Sequence, residues 1–433
     1  MGSPIHPRVL LIECSPFLPV QTPISLGYIA AYLAEQGYSV KILQIGSDTR
    51  LSLNLIGRLL LDFRPAIVGF SAYQRNIFFV QALGRLCKSL LPDCTTVIGG
   101  PQATFLPPEA LRQLPSIDLV CRGEGEVAMM GLAERMRAGE SIDGTPCMMG
   151  RRPSGGAWEG PAVDSKEELD DYPSPYLTGA LEIDRMDEAI LLASRGCPYR
   201  CAFCYTPQAF GRKTRYHSVE RVLDEIEYVS RKGLRRFWFA DPSFTLDRTR
   251  IHGLLDGLLR RGLDSEFWLE TRADLVDSDL LNKMKHAGVH TIAYGLESAS
   301  PDVLQRIRKP IDSGEFERAV RLTQDAGIGV EVFSQYGLPG ESFEDAVATL
   351  RFVESLEVPI RGNTNAQQMQ LYFGTEVQRE PARFGICVAP ESPPLYISAG
   401  GRYHTDCMSE SEIKRVRSLW AAASIDGGKR IVS

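Results

Sequence analysis

Long hydrophobic runs are missing from this chain of 433 residues. Although 44% of its residues are hydrophobic, the apolar stretches are short and interrupted, and none is long enough to span a bilayer. The opening MGSPIHPRVL lacks the basic and apolar regions of a secretory signal. Neither sign of charge dominates: 48 basic residues against 54 acidic ones leave a formal charge of −6, which offers no general attraction to nucleic acid. A GxGxxG loop is absent, which argues against a nicotinamide dinucleotide site. Histidine is scarce, six in all, and residues 7–216 contain none.

Cysteine is present but not in the manner of a disulfide framework. Ten are spread over a large chain, which fits a reducing, cytoplasmic setting with a few functional thiols. Cys14, Cys87, Cys94, Cys121 and Cys147 stand singly in the first third and read as small buried hydrophobes.

Two alternating patterns divide the chain, as expected for more than one core at this length. In the first, strands are predicted at Arg8–Cys14, Ser39–Ile45, Ala66–Ala72, Thr95–Gly100 and Asp118–Gly123. Helices are predicted at Ile24–Gln36 and at Asn76–Leu90, the latter with Phe79, Leu83, Leu86 and Leu90 on one face. The alternation points to a parallel, doubly wound sheet, with ligands at the carboxyl ends of its strands. The loops there are 71–76, 99–104 and 122–126, whose glycines and Thr104 could cradle phosphate or amide groups or could be ordinary turns. A stretch dense in turn formers, 144–185, reads as the interdomain connection, with Trp158, Tyr172 and Tyr176 available to pack at the joint.

The second pattern predicts strands at Ala189–Arg195, Arg235–Asp241, Glu266–Arg272, Thr291–Glu297, Val330–Gly337 and Gln367–Phe373. Helices near 218–232, 248–261, 277–287, 313–326 and 342–356 separate them. Six such units can curve into an open barrel with its chemistry at the strand carboxyl ends. Beyond residue 380 the pattern weakens, and 381–433, with a helix at Glu410–Ala423, reads as a capping segment.

Cys197, Cys201 and Cys204 form a CxxxCxxC loop just after the first strand of this barrel, with Gly196 and Pro198 at its entry. Three soft thiolates on one loop suit a [4Fe–4S] cube whose fourth iron stays open. A structural zinc site wants four ligands; no second CxxC or CxxH lies nearby, and His217 reads as the start of the next helix. The open iron is what S-adenosylmethionine (SAM) needs, since it chelates through its methionyl amine and carboxylate.

Arg195-Gly-Cys-Pro-Tyr-Arg-Cys-Ala-Phe-Cys204 resembles the radical SAM signature. The likeness continues through Phe239-Ala-Asp-Pro-Ser-Phe244, Glu270-Thr-Arg272, Tyr294-Gly-Leu-Glu-Ser298, Tyr336-Gly-Leu-Pro-Gly-Glu341 and Phe373-Gly-Thr375, covering 186–376. By that resemblance, Phe203 lies near adenine, Asp241 near the SAM amino group and Arg272 near its carboxylate. Glu297 and Ser298 would meet the ribose or methionyl end, and Gly337, Pro339 and Gly340 the adenine. The plainer alternatives are helix caps, a scaffold ion pair and a turn.

Residues 8–138 look like the cobalamin-binding domain joined to one radical SAM subgroup, carried by Pro23–Ala31 and by the loops at 71–76, 99–104 and 122–126. The expected fold class is therefore α/β: a Rossmann-like cobalamin-binding domain (1–143), a linker (144–185), a partial (β/α)6 barrel (186–380) and the C-terminal segment. With no histidine in 7–216, the DxHxxG ligand is unavailable, and the resemblance implies base-off, His-off cobalamin. Gln74, Arg75 and Asn76 would face the lower side of the corrin, and Gly99, Gly100, Gln102, Thr104, Gly123 and Glu124 would line the rest of the crevice. The implied activity is methyl transfer to a small metabolite through methylcobalamin and a 5′-deoxyadenosyl radical, fed by an external one-electron reductant such as flavodoxin or ferredoxin. Radical rearrangement or cyclisation, transfer of an aminocarboxypropyl group, and a non-enzymatic iron–sulfur sensor are the alternatives. The tail residues Tyr372, Cys387, Glu391, Tyr396, Tyr403, His404, Asp406 and Cys407 are candidate substrate-side groups.

Overall fold

The computed structural model describes residues 6–15, 22–47, 53–73, 76–152, 155–361, 365–389, 403–423, 425–426 and 429–430, and these divide into two units, 1–186 and 187–433. Gln74, Arg75, Glu391 and Tyr396 lie outside the described residues, as does the side chain of Gln102. Among the described residues no helix is long and apolar enough to cross a membrane.

The first unit runs β1 (Val9–Ser15), α1 (Ile24–Glu35), β2 (Val40–Gly46), α2 (Leu53–Phe63), β3 (Ile67–Ser71), α3 (Ile77–Leu90), β4 (Thr95–Gly99), α4 (Pro101–Thr104), β5 (Leu119–Cys121), α5 (Gly125–Ala138), β6 (Met148–Arg151) and β7 (Ala157–Glu159). Its sheet has the order β2-β1-β3-β4-β5-β6-β7. The first five strands are parallel, as alternating strands and helices require, and the last two pair antiparallel. Residues 148–159, expected in the linker, thus extend this sheet. Trp158 explains why: its ring lies over Gly150, where a Cβ would come within 2.6 Å of it, and it joins the core cluster of Val9, Leu11 and Leu119. Tyr172 packs edge-on to Tyr32 in the same unit.

The buried face of α3 is also rotated from expectation. Ile77, Val80, Leu83, Gly84 and Cys87 are inward, while Phe79 is exposed. Gly84 sets this, because a Cβ there would meet Ser116 Oγ at 2.9 Å; the helix turns its smallest residue toward the sheet.

The second unit comprises β8 (Ala189–Leu191), β9 (Ser194–Arg195), α6 (Thr206–Ala209), β10 (Arg215–Tyr216), α7 (Val219–Arg231), β11 (Arg236–Phe239), α8 (Arg248–Arg261), β12 (Glu266–Thr271), α9 (Ser278–His286), β13 (Val289–Glu297), α10 (Pro301–Arg306), α11 (Ser313–Asp325), β14 (Gly329–Tyr336), α12 (Phe343–Ser355), β15 (Ala366–Gln368), α13 (Glu376–Arg379), β16 (Ile386–Val388), β17 (Tyr403–Thr405) and α14 (Glu410–Ala422). Six strands form one parallel sheet in the order β15-β14-β13-β12-β11-β8, the curled half-barrel anticipated from the repeats. Helix starts fall where the sequence supplies caps: Ser218, Asp247, Asp277, Asp312 and Ser342 each accept from a backbone N–H of the first turn.

The two faces of the half-barrel differ. Tyr294 points to α11, where its hydroxyl hydrogen-bonds Thr323 (2.8 Å), so the alternate residues Ala293 and Gly295 face the opposite side of the sheet. Register carries Glu270 and Glu331 to that side beside Ala293. Trp238, Trp268 and Phe333 form its aromatic wall, with ring centroids 5.5 and 6.3 Å apart.

Candidate active site

The cysteine loop leaves the sheet through a short antiparallel clip, Ser194 and Arg195 of β9 against Tyr216 and Arg215 of β10. Gly196 then takes φ +95°, and a Cβ there would meet Lys213 O at 2.4 Å, so only glycine fits. Cys197 N–H donates to Gly211 O (3.2 Å) and Ala202 N–H to Ile307 O (2.9 Å), tying both ends of the loop to neighbouring segments. Cys197 is buried, while Cys201 and Cys204 are partly open. Burial pushes all three thiols up, Cys201 to about 11; Lys309 acts against this at each, and Arg272 does so at Cys197 and Cys201. Bound iron would complete what those cations begin, since it takes the thiolate form. Among the described residues no three His, Cys, Asp or Glu side chains converge as they would on one metal ion. Three thiols on one short loop are the kind of donor set that would hold an iron–sulfur cluster.

Asp241, just past β11, is buried, and its oxygens accept from Ala193 N–H (3.1 Å) and the Ser194 hydroxyl. The carboxylate expected beside the SAM amino group is thus engaged in holding the strand that feeds the cysteine loop. Burial raises it to about 6, against the pull of those hydrogen bonds. Arg272 makes a two-pronged contact with Asp274 (both 2.9 Å) and lies over the ring of Tyr199, 4.1 Å from its centroid. Tyr199 is inside the cysteine loop, so Arg272 braces that loop.

Glu297 ends β13 in the left-handed region, φ +67°, at a shift of register between β13 and β14. A non-glycine residue there is strained and needs strong partners. It has them: Lys309 Nζ donates to Oε1 (2.6 Å) and Gln335 Nε2 to Oε2 (2.7 Å). Gly295 makes room, since a Cβ on it would lie 2.5 Å from Lys309 Nζ.

The remaining barrel candidates are more enclosed than expected. Ser298 is fully buried and hydrogen-bonded with Thr349 (3.3 Å) and Ser300 N–H (3.2 Å), so it is a structural link. Gly337 (φ +72°) and Gly340 (φ +75°) are required by the turn, and a Cβ on each would crowd Tyr403 and Arg306 respectively; Pro339 lies between them. Phe203 packs against the cluster of Ala202, Leu304, Leu338, Met369 and Tyr403, where the Tyr403 hydroxyl donates to Gly337 O (3.1 Å) and Met369 O (2.9 Å). His404 pairs with Cys387 between β17 and β16, and both Cys387 and Cys407 are exposed.

At the strand ends of the first unit, several candidates serve the scaffold. Asn76 is buried; its amide donates to Cys14 O (2.8 Å) and Ser71 O (2.9 Å) and accepts from Tyr73 N–H (2.7 Å), so it ties β1 to β3. Thr104 Oγ1 donates to Gly100 O (3.0 Å) and accepts from Gly123 N–H (3.3 Å), joining two of the loops. Gly100 (φ +102°) packs on Ala72 O, whose own N–H donates to Gly99 O (2.8 Å). Glu124 precedes α5 and accepts from Tyr172 Oη (3.3 Å).

Two groups were given no role by sequence reasoning. Lys309 sits in Arg306-Ile-Arg-Lys309, which reads as a solvated basic run, and only the fold carries it to Glu297. Glu270 had a legible signal, a carboxylate alternating with Trp268 on an otherwise apolar strand.

Residues 191–353 match the Radical SAM superfamily, and residues 16–133 match the B12 binding domain. The chain belongs to the radical SAM enzymes that carry a B12-binding domain. The family brings a [4Fe–4S] cluster, SAM and cobalamin as cofactors. An uncharacterized methyltransferase from Pyrococcus horikoshii is 29% identical over 341 residues, 78% of this chain and 74% of the relative. An anaerobic magnesium-protoporphyrin IX monomethyl ester cyclase from Rubrivivax gelatinosus is also 29% identical, over 76% of this chain and 61% of its own length. Among solved structures, the radical SAM methyltransferase TsrM from Kitasatospora setae superimposes with a TM-score of 0.76 at 18% identity, covering 97% of this chain and 89% of TsrM, a likeness of fold.

Proposed function

We propose that this enzyme is a cobalamin-dependent methyltransferase acting on a small metabolite or natural-product intermediate. The observation that carries the reading is a three-thiol loop at the carboxyl edge of a curled parallel sheet, in a chain that also carries a B12-binding domain. When bound, the cofactors supply one-electron cleavage of SAM and a carrier for its methyl group. The protein's part is to hold, orient and screen. Cys197, Cys201 and Cys204 would hold three irons of the cluster; Gly196, Asp241 and the Arg272–Tyr199 stack fix the loop that presents them. Phe203 supplies an apolar surface beside the loop, and the Glu297–Lys309–Gln335 chain offers polar atoms toward SAM at the end of β13. Trp238, Trp268 and Phe333 exclude water from the sheet face opposite α11, where an organic substrate would lie. An external one-electron reductant is required.

Cyclisation is the second reading, favoured by the Rubrivivax relative. Isotope labelling separates the two. The protein reconstituted anaerobically with iron, sulfide and cobalamin is supplied with reductant, candidate substrates and SAM bearing a deuterated methyl group. Label in the product supports methyl transfer, while an unlabelled rearranged product refutes it. Cys201→Ala is expected to lower bound iron and abolish SAM cleavage; an intact, active cluster in that variant would overturn the ligand assignment.

A further inference from the structure

β1 lies between β2 and β3, and chain order reverses across it, so its carboxyl end with that of β3 forms the topological switch point where doubly wound sheets bind ligands. Glu13 is two residues from the end of β1 and pairs in register with Gln44 of β2 and Ser71 of β3. Val9 and Leu11 belong to the core formed with Leu26, Ala30 and Leu33 of α1, so by alternation Glu13 lies on the same face, one step beyond the last apolar row. Among the described residues, nothing forms a hydrogen bond or ion pair with its side chain. Glu13 is half-buried, and its carboxyl, without a protein partner among the described residues, lies where a ligand would supply one.

We infer that Glu13 is a ligand-contacting residue whose carboxyl hydrogen-bonds a neutral polar group of cobalamin, an amide side chain of the corrin or a ribose hydroxyl of its nucleotide. The chemistry favours neutral groups over the phosphate. Burial raises Glu13 to about 7, so below that pH it carries a proton it can donate, and an anion beside it would gain nothing from its charged form. Neighbouring elements bring little charge to the position. β2 and β3 contribute Gln44 and Ser71, α1 carries no charged residue before Glu35, α5 carries Glu126 in its first turn, and the adjacent Cys14 thiol is itself pushed up by burial and then by Glu13.

The inference rests on the first unit being a cobalamin domain, and the test separates the two claims. Full-length wild type, E13Q and E13L, freed of cobalamin, are titrated with hydroxocobalamin by equilibrium dialysis near pH 6 and near pH 8.5. Wild type is expected to bind about tenfold more tightly at the lower pH, the effect of one hydrogen bond to a buried group. E13Q, which keeps a neutral donor, should bind with no such pH dependence, and E13L should be about tenfold weaker than wild type at pH 6. Circular dichroism of E13L matching wild type confirms that it folds, and E13Q tests the pH dependence independently. All three proteins binding alike at both pH values would overturn the role of Glu13. No binding by wild type at either pH would overturn the cobalamin reading of the unit, and the role of Glu13 with it.

Discussion

Replacing Lys309 with Met tests whether the Glu297–Lys309 pair holds the end of β13 in place. Methionine keeps much of the apolar stem and removes the charge. The pair is nearly closed to solvent, with side chains 10% and 9% exposed and 2.6 Å between charged atoms, so a lone Glu297 would remain largely desolvated. Breaking such a pair from one side costs about 3–5 kcal/mol, because the surviving charge is uncompensated. Gln335 still donates to the other oxygen, which puts the expected cost at the lower end, about 3 kcal/mol. For a domain of this size that is a fall of roughly 6–12 °C in Tm. Thermal unfolding followed by tryptophan fluorescence reads this unit preferentially, since Trp238, Trp268 and Trp420, three of the four tryptophans, belong to it. The double variant K309M/E297Q removes both charges and should recover most of the loss. A shift below about 1 kcal/mol in K309M, or a double variant no more stable than the single one, would refute a coupled buried pair.

Gly196→Ala introduces a Cβ 2.4 Å from Lys213 O at φ +95°, and strain with overpacking should cost about 2–4 kcal/mol and reduce iron retained after reconstitution; unchanged iron content would count against the loop geometry. Stability of the cofactor-free protein should fall as pH rises. Burial raises Asp241 from 3.8 to about 6 and Glu341 from 4.5 to about 8, so the folded chain holds protons that the unfolded chain releases. Their contribution is complete below pH 4 and is lost as pH passes about 6 and then about 8, on the order of a few kcal/mol in total. Urea denaturation of wild type and E341Q near pH 5 and pH 8 checks this, and parallel losses in both proteins would sink the assignment to Glu341.

Legibility in the sequence followed the range of the forces involved. Helix limits came within a residue or two at Val219–Arg231, Arg248–Arg261 and Phe343–Ser355, because cap residues and apolar periodicity act over one to four positions. The strands β6 and β7 were hidden, since a turn-rich sequence does not announce that Trp158 will close over Gly150. The polar residues of the strand ends were visible as residue types, while the hydrogen bonds that Asn76, Thr104 and Ser298 make to the scaffold were not.

By itself the sequence determined the alternating β/α architecture and the three-thiol loop at its chemically active edge, because periodicity, glycine at a tight turn and CxxxCxxC spacing are local properties. Only the tertiary structure decided which charges meet: Lys309 with Glu297, Arg272 with Tyr199 and Asp274, Asp241 with the backbone before the cysteines, and Glu13 with no hydrogen-bond or ion-pair partner among the described residues. Those outcomes depend on which strands lie side by side and which face is buried, and that is fixed by the packing of the whole domain.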